Sequence, residues 1–295
     1  MGKPGGLCAS SGKAWLFGFL AVTCIAVARA AEPIVLAVHP YLAVPEIERR
    51  FTPLVRRLAR DIELPIELRI TTDYTQHIRA VGEGRADIAF IGPAELLLAE
   101  ARYGPRVLLG KIALKDRPGL SGHLVARQPL APGENLKTLR GKRIAFVDSG
   151  STMGYLVPRA ILANAGVRER DFRTSRFVGS HDNVALGVLA GEFDVGAVKD
   201  EIFEKYRPRG LVSLAEMPTV PEHVFVANPR MPNEWQVRLR HALQQLHEDE
   251  NGRRALSAIR SDLARIAPVE PKEFASLRQL LGSALSDSGK AAHKP

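Results

Sequence analysis

Short apolar segments alternate with amphipathic segments along most of this 295-residue chain. Residues 33–38 form a β-branched run that predicts a strand. The next segment, residues 45–60, predicts a helix because large apolar side chains recur there at helical spacing, at Ile47, Phe51, Leu54, Val55 and Leu58. Strands that alternate with helices form mainly parallel sheets whose two faces the helices cover. The pattern therefore predicts an α/β fold.

The alternation begins again near residue 136, which predicts two units. In the first unit we expect strands at 66–71, 87–91, 107–114 and 122–127 and helices at 74–81 and 93–103. In the second we expect strands at 143–147, 174–177, 195–198 and 211–215 and helices at 153–165, 183–190 and 200–206. A strand at 224–227 follows, and the pattern from residue 233 onward, including 235–247 and 252–263, predicts helices.

The second unit is predicted to be inserted into the first. The first lobe then comprises residues 31–127 and 222–282, the second lobe residues 128–221, and a polar tail residues 283–295. Proline-bearing segments mark the two crossings, at Gln128-Pro129 and between Pro218 and Pro221. Two such crossings predict a hinge, and a cleft between two lobes is a common place for a ligand.

Residues 1–30 have the pattern of a secretory signal peptide. Lys3 and Lys13 precede an apolar run at residues 14–27. Ala28-Arg29-Ala30 then has the pattern of a cleavage site before Ala31. An uncleaved membrane anchor is the alternative, but the run is short for a membrane span. We therefore expect a protein exported to the periplasm, with a mature chain that begins at Ala31.

The composition of the mature chain excludes several classes of protein. Both cysteines, Cys8 and Cys24, lie in the leader, which excludes disulfides, thiolate metal sites and a cysteine nucleophile. The sequence around Cys24 fits a lipoprotein signal poorly. The full chain has 41 basic and 32 acidic residues, and the leader holds three of the basic ones. This modest excess attracts anions, but it is too dispersed to indicate a nucleic-acid partner.

The segment from Gly141 to Gly166 has the arrangement that builds an anion site. It reads as an apolar strand, a loop of small hydroxyl residues and an amphipathic helix. The first turn of a helix has unpaired N–H groups and a partial positive charge, which attract an oxyanion. The loop residues that would lie at this turn are Ser149, Gly150, Ser151 and Thr152. The alternative is that Ser151 or Thr152 only caps the helix.

Several motifs resemble those of a known family. The second unit contains the string DSGSTMGYLVP at residues 148–158, Gly179-Ser180-His181 and GEFDVGAV at 191–198. The first contains Thr72-Asp73-Tyr74 and DIAFIGP at 87–93. In order and spacing these are similar to the periplasmic phosphate-, phosphite- and phosphonate-binding proteins of ABC transporters, over nearly the whole mature chain. The resemblance implies a type II periplasmic binding protein fold, with two lobes that close on a ligand.

The resemblance also implies a set of ligand-binding residues. It places Ser151, Thr152 and the following residues Met153 and Gly154 around a phosphorus oxyanion, through hydroxyl groups and backbone amides. Ser149 is a further candidate because of its place in the same loop. Tyr74 and His181 would donate hydrogen bonds from opposite sides. Glu201 lies where relatives that bind aminoalkyl phosphonates place an acid that faces the ligand amine.

Three of these residues have ordinary structural alternatives. Tyr74 follows Asp73 at a helix start, where an aromatic residue could simply border the cleft. His181 follows Gly179-Ser180 and could belong only to a helix cap. Glu201 could stabilise the first turn of its own helix.

The chain departs from the family pattern around the expected ligand tail. Leu120 and Ser121 stand where we expect an aromatic residue after Pro118-Gly119. Val220 stands where an acid is expected after the second crossing, with Glu222 two residues later. Ala94-Glu95 follows Gly92-Pro93, where relatives often have an aromatic residue. The loss of an acid and an aromatic wall predicts weaker recognition of an amine-bearing tail.

Catalysis and metal binding have little support in the sequence. Ser149 or Ser151, His181 and Asp182 or Asp194 supply the residue types of a hydrolytic triad, but the loop is not a G-x-S-x-G elbow. No H-E-x-x-H, phosphate-binding loop or dinucleotide fingerprint is present. We expect His39 and His77 to be isolated structural or surface residues. We therefore expect no enzyme, no cofactor and no metal.

Together these observations predict a solute-binding protein of an ABC importer. Its ligand would be a small phosphorus oxyanion such as a phosphonate, phosphite or phosphate, its partner a permease in the inner membrane, and its state a monomer. One alternative is a binding protein that presents its anion-bound form to a membrane sensor kinase. A binder of sulfonates or other organic anions is a further alternative.

Overall fold

The computed structural model describes residues 1, 2, 5, 32–128, 135–282 and 284–286. The predicted signal peptide lies almost wholly outside these residues. The first part of the described chain alternates strands and helices in the predicted order: β1 (Ile34–Val38), α1 (Val44–Ile62), β2 (Ile66–Ile70), α2 (Tyr74–Glu83), β3 (Ile88–Ile91), α3 (Pro93–Tyr103) and β4 (Val107–Leu114).

The second part repeats the alternation. Its elements are β5 (Gly122–Ala126), β6 (Arg143–Phe146), a π-helical turn (Thr152–Leu156), α4 (Val157–Asn164), β7 (Thr174–Phe177), α5 (His181–Ala190), β8 (Val195–Lys199), α6 (Asp200–Tyr206) and β9 (Val212–Glu216). The chain then continues through β10 (Val224–Ala227), α7 (Asn233–Gln245), α8 (Glu250–Ile259), β11 (Leu263–Ala267) and α9 (Ala275–Leu280). Among the helices in the described part of the chain, none is long and apolar enough to cross a membrane.

The strands form two sheets, which define two lobes. The first lobe has six strands in the order β11-β4-β10-β3-β1-β2, and the second has five in the order β7-β6-β8-β5-β9. The predicted two-lobed α/β fold is thereby confirmed. Both sheets are mixed, because β10 runs antiparallel to β3 and β4 and β5 runs antiparallel to β8 and β9. These are the strands by which the chain enters each lobe after a crossing.

The apolar residues that give α1 its amphipathic pattern are the ones that pack against the first sheet. Ile47, Phe51, Leu54 and Leu58 are completely buried, and they cover the first sheet. Burial of each such side chain contributes about 1.5–3 kcal/mol, so this face holds α1 against the strands that carry one wall of the cleft.

The first crossing between lobes lies earlier than predicted. β5 pairs with β8 and β9 in the second sheet, whereas the sequence pattern assigned residues 122–127 to the first lobe. The chain therefore crosses between β4 and β5, near Pro118-Gly119, and Pro129 lies outside the described residues. The error arose because β5 follows β4 directly, and a local pattern does not show which sheet a strand joins. The return crossing lies between β9 and β10.

The two crossing segments are hydrogen-bonded to each other. Leu120 and Val220 form an antiparallel bridge, in which each N–H donates to the other residue's carbonyl oxygen at 2.9 Å. The connection between the lobes therefore includes a short two-stranded ribbon.

The C-terminal region differs from the expected run of helices. α8 ends at Ile259, and residues 263–267 form strand β11 beside β4. This strand is too short to display a clear period, and Leu263, Ile266 and Ala267 are buried. Within the predicted tail, Leu285 is also buried and its N–H donates to the Leu281 carbonyl. Residues 287–295 lie outside the described residues.

Gly119→Ala is expected to destabilise the crossing. A Cβ at this position would lie 2.3 Å from the Val220 carbonyl oxygen, so the two segments must separate. We expect a loss of about 1–3 kcal/mol in the free energy of unfolding, as for other overpacked sites, measured by urea denaturation. Gly282→Ala is the matched control, because a Cβ there meets nothing within 4 Å. Equal stability of the two variants would contradict this view of the crossing.

The ion pair between Asp194 and Arg143 predicts a pH-dependent contribution to stability. The Asp194 carboxylate accepts hydrogen bonds from the Arg143 guanidinium at 2.7 and 3.1 Å and from its backbone N–H at 2.8 Å. The guanidinium hydrogen bonds lower the pKa of Asp194 to about 2.

Because the pKa is lower in the folded state, the stabilisation is present above the ordinary value of about 3.9 and is lost as the pH falls toward 2. We expect the difference in unfolding free energy between the wild type and Asp194→Asn to shrink as the pH falls through this range. Urea denaturation at several pH values measures it, and a difference independent of pH would contradict the assignment.

Candidate functional site

A small enclosed cavity lies between the two lobes. Its volume is about 20 Å³, comparable to the space of about 10–15 Å³ that a buried water molecule requires. The first lobe contributes the residues His39, Tyr41, Tyr74, Gly92, Glu95 and His223. The second contributes Ser151, Thr152, Met153, His181 and Lys199, and the crossing segment contributes Leu120.

The topology places these residues together. In each lobe the parallel strands end at the edge that faces the cavity, and the residues that follow them begin helices. Open α/β sheets bind ligands at this edge. Helix α2 begins at Tyr74 behind the cap residue Asp73, and α5 begins at His181 behind Ser180. Helix α3 and the π-helical turn also begin here, after Gly92 and Ser151. Helix N-termini from both lobes therefore bring partial positive charge to one place.

A hydrogen bond joins the two lobes across the cavity. The N–H of Ala94, in the first turn of α3, donates to the Thr152 hydroxyl at 3.1 Å. Thr152 begins the π-helical turn of the other lobe and is 5% exposed. In this closed arrangement, the hydroxyl oxygen is the acceptor for an N–H group at the α3 N-terminus.

Ser151 is a helix cap and also lines the cavity. Its hydroxyl accepts a hydrogen bond from the Gly154 N–H at 3.1 Å, and the residue is buried. Nearby, burial raises the pKa of the Tyr74 hydroxyl well above its ordinary value, although a hydrogen bond with Ser151 opposes this rise. Tyr74 is therefore a neutral hydrogen-bond donor. The two alternatives left open by the sequence, cap and anion ligand, are compatible for Ser151.

His181 is held in one tautomer. Its Nδ1 accepts a hydrogen bond from the Lys199 N–H at 3.2 Å, so in the neutral ring the proton lies on Nε2. Burial lowers the pKa of His181 well below its ordinary value, and the charge of Lys199 lowers it further. The imidazole is therefore neutral at physiological pH and provides an N–H donor.

Glu201 does not line the cavity. Its carboxylate pairs with the Lys199 ammonium at 2.8 Å and with the Arg50 guanidinium at 3.3 Å. Burial raises the pKa of Glu201, but Lys199, Arg260 and Arg50 outweigh this effect and lower it well below its ordinary value. The Lys199 ammonium also lies 4.5 Å from the centre of the Tyr41 ring. Glu201 thus neutralises Lys199, which is itself a cavity residue.

Two further predicted residues lie outside the cavity. Ser149 is exposed and lines a separate groove of about 400 Å³, together with Arg79, Arg102 and Arg159. Gly154 packs against Val147, where a Cβ would lie 2.4 Å from the valine side chain. The structure therefore brings five predicted residues to the cavity and leaves three outside it. The five are Tyr74, Ser151, Thr152, Met153 and His181.

The expectation that His39 and His77 are isolated was wrong. Their rings are in edge contact, with centroids 5.6 Å apart, and both are completely or almost completely buried. His39 Nδ1 is hydrogen-bonded to the Glu95 carboxylate, which also accepts from the Gly92 N–H at 3.0 Å. Burial raises the pKa of Glu95 to about 7 and lowers that of His77 to about 4.

The residues missed by the sequence analysis had a signal that could have revealed them. His39 follows β1 directly, Glu95 lies in the first turn after β3, and His223 directly precedes the antiparallel strand β10. All three positions belong to the sheet edge that faces the cavity. Glu222, the acid two residues after Val220, is buried and pairs with His223 at 3.1 Å and with Arg260 at 3.8 Å.

Comparisons with known proteins identify the family of the chain. The model of the family described as "ABC transporter, phosphonate, periplasmic substrate-binding protein" matches residues 36–274. The phosphate-import protein PhnD of Mycolicibacterium smegmatis is 29% identical over 214 residues, which cover 67% of this chain and 66% of that protein. The probable ABC transporter phosphite-binding protein PhnD1 of Prochlorococcus marinus is 23% identical over 187 residues, covering 60% and 63%. The chain thus spans just under two thirds of the length of these curated relatives.

A solved structure shows the same fold. The structure of PhnD1 from Prochlorococcus marinus in complex with methylphosphonate has a TM-score of 0.76 and 18% sequence identity, and the match covers 86% of this chain and 98% of that one. The family match covers most of the described chain, including both lobes and every residue of the cavity. The chain therefore belongs to the family of periplasmic substrate-binding proteins of phosphonate ABC transporters.

Proposed function

We propose that this protein captures a small phosphorus oxyanion between its lobes and delivers it, as a monomer, to the permease of an ABC importer. One observation carries the proposal: helix N-termini from both lobes converge on a buried cavity lined by hydroxyl and imidazole donors. The names of the relatives, which refer to phosphate, phosphite and methylphosphonate, support the same class of ligand.

The donors of the cavity suit an oxyanion because they come from both lobes. Thr152, Ser151 and His181 Nε2 belong to the second lobe, whereas Tyr74 and the Ala94 N–H belong to the first. Only a closed form lets all of them reach one ligand, so binding shifts the balance between open and closed forms toward the closed one. In this closure an anionic oxygen would replace the contact between Ala94 and Thr152.

The cavity favours a compact ligand. A cavity that holds about one water molecule must widen to admit any phosphorus oxyanion, and a compact ligand requires the least widening. The apolar side chains of Leu120 and Met153 suit a hydrogen or methyl substituent on phosphorus. A ligand amine would need an acid, and Glu201 is already paired with Lys199 and Arg50. We therefore propose phosphite, methylphosphonate or phosphate as ligands, in preference to an aminoalkyl phosphonate.

The arrangement does not support a serine hydrolase. The Ser151 hydroxyl accepts a hydrogen bond from the Gly154 N–H, and the lone pair of His181 Nδ1 faces the Lys199 N–H. Within the described residues, no hydrogen bond joins Ser151 to His181, so neither group is placed as nucleophile or base.

Cleavage of the leader before Ala31 and release of the mature protein into the periplasm are part of the same proposal.

A thermal-shift panel tests the ligand class. Phosphite, methylphosphonate and phosphate are expected to raise the melting temperature of the purified protein, since a ligand at one hundred times its Kd stabilises the folded state by about 2.7 kcal/mol. 2-Aminoethylphosphonate, methanesulfonate and sulfate are expected to produce smaller shifts at equal concentration. Stabilisation by a sulfonate or an uncharged solute, without any by a phosphorus oxyanion, would contradict the proposal.

Thr152→Val is expected to weaken binding of the best ligand from that panel. Valine keeps the shape of the side chain but removes the hydroxyl, and a hydrogen bond to a charged group contributes about 1.5–3 kcal/mol. The expected loss is therefore roughly tenfold to one hundredfold in Kd, measured by isothermal titration calorimetry.

Ser149→Ala is the matched control, because this hydroxyl belongs to the same loop but lies outside the cavity. Its Kd is expected to stay within about twofold of the wild type. A larger loss for Ser149→Ala than for Thr152→Val would place the ligand in the arginine-lined groove instead.

A further inference from the structure

We infer that His39, His77 and Glu95 form a binding site for one divalent transition-metal ion in the first lobe, beside the cavity. Each residue offers one ligand atom, and these three atoms lie within 4.8 Å of one another. This inference goes beyond the proposed function, because it concerns a cation and needs no oxyanion.

The three residues come from neighbouring elements of one lobe. His39 follows β1, His77 lies on α2 and Glu95 lies in the first turn of α3. The site is therefore preserved when the lobes open or close. All three side chains are at most 1% exposed, so their positions are set by the packing of the lobe rather than by solvent.

The cluster contains more polar atoms than the protein itself satisfies. His39 Nε2 and Glu95 Oε1 are buried without a hydrogen-bond partner among the protein atoms. Neither ring nitrogen of His77 has a partner in hydrogen-bond geometry, although an interaction with the Phe90 backbone partly opposes the lowering of the His77 pKa. Native proteins leave few buried polar atoms unsatisfied, and each such atom indicates a water, an ion or a function. A single metal ion takes one lone pair from each neutral imidazole and one from the carboxylate, so this cluster offers it three protein ligands.

The ligand set selects the class of metal. Two neutral imidazoles and one carboxylate form the set found in zinc sites with three protein ligands and one open position, and imidazole favours zinc and its neighbours over magnesium or calcium. Bonds of about 2.0–2.2 Å would require the most distant ligand atoms to approach one another. His39 Nδ1 and the Glu95 oxygen, which share a proton, would instead move apart as the metal replaced that proton. His39 and Glu95 line the cavity, so a further ligand would approach the metal from that side.

Zinc titration of the untagged, chelator-treated protein tests the inference. We expect one Zn²⁺ per chain by elemental analysis after desalting, and visible absorption of tetrahedral type when Co²⁺ is used instead. Mg²⁺ at equal concentration is expected not to compete. Absence of saturable Zn²⁺ binding by the wild type would overturn the inference without any variant.

His77→Gln is the decisive variant, because His77 does not line the cavity. We expect its Zn²⁺ affinity to fall at least about tenfold, whereas His241→Gln, at an exposed position on α7, is expected to match the wild type. Circular dichroism in chelator checks the fold, and Glu95→Gln replaces His77→Gln if the latter unfolds. Equal affinity of wild type and His77→Gln would overturn the inference.

The titration contains no oxyanion, so its outcome is separate from that of the ligand panel. A protein that binds phosphite or methylphosphonate but no zinc would keep the proposed function and lose the metal site. A protein that binds zinc but no oxyanion would keep the metal site and lose the proposed function.

Discussion

The hydrogen bond from the Ala94 N–H to the Thr152 hydroxyl joins the first turns of helical segments from opposite lobes. Each turn carries unpaired N–H groups and partial positive charge, so the two ends repel unless an electronegative atom lies between them. In the closed chain, the Thr152 oxygen partly fills this role. These two helical ends face each other because of the rest of the fold. The features that position them are the mixed sheets, the early crossing at Leu120 and the buried face of α1.

The remaining charges of the cavity are balanced by local partners. Glu201 neutralises Lys199, and Arg50 supports Glu201 from α1. Burial keeps His181 and His39 neutral and raises the pKa of Glu95 to about 7. The remaining polar groups of the second lobe and of Tyr74 are N–H and O–H donors, which favour an anion. On the first-lobe side, the His39, His77 and Glu95 cluster offers lone pairs instead, which favours a cation.

The parts of the fold that follow from local pattern were predictable. Helix α3 and strands β4, β7 and β10 lie at their predicted residues, and Ser151, Thr152 and His181 reach the cavity because they follow strands of a parallel sheet. The lobe of β5, the strand β11 and the pairing of Glu201 with Arg50 depend on contacts between distant residues. The cluster of His39 with Glu95 depends on the adjacency of β1 and β3. A single sequence contains no direct record of such adjacency.

A crystal structure of the protein with phosphite or methylphosphonate tests the central claim most directly. The account predicts the phosphorus atom in the cavity between the lobes, with its oxygens within hydrogen-bond distance of the hydroxyls of Ser151 and Thr152 and of His181 Nε2. An oxyanion in the groove lined by Ser149 and Arg159, with the Ala94 to Thr152 hydrogen bond still in place, would contradict it.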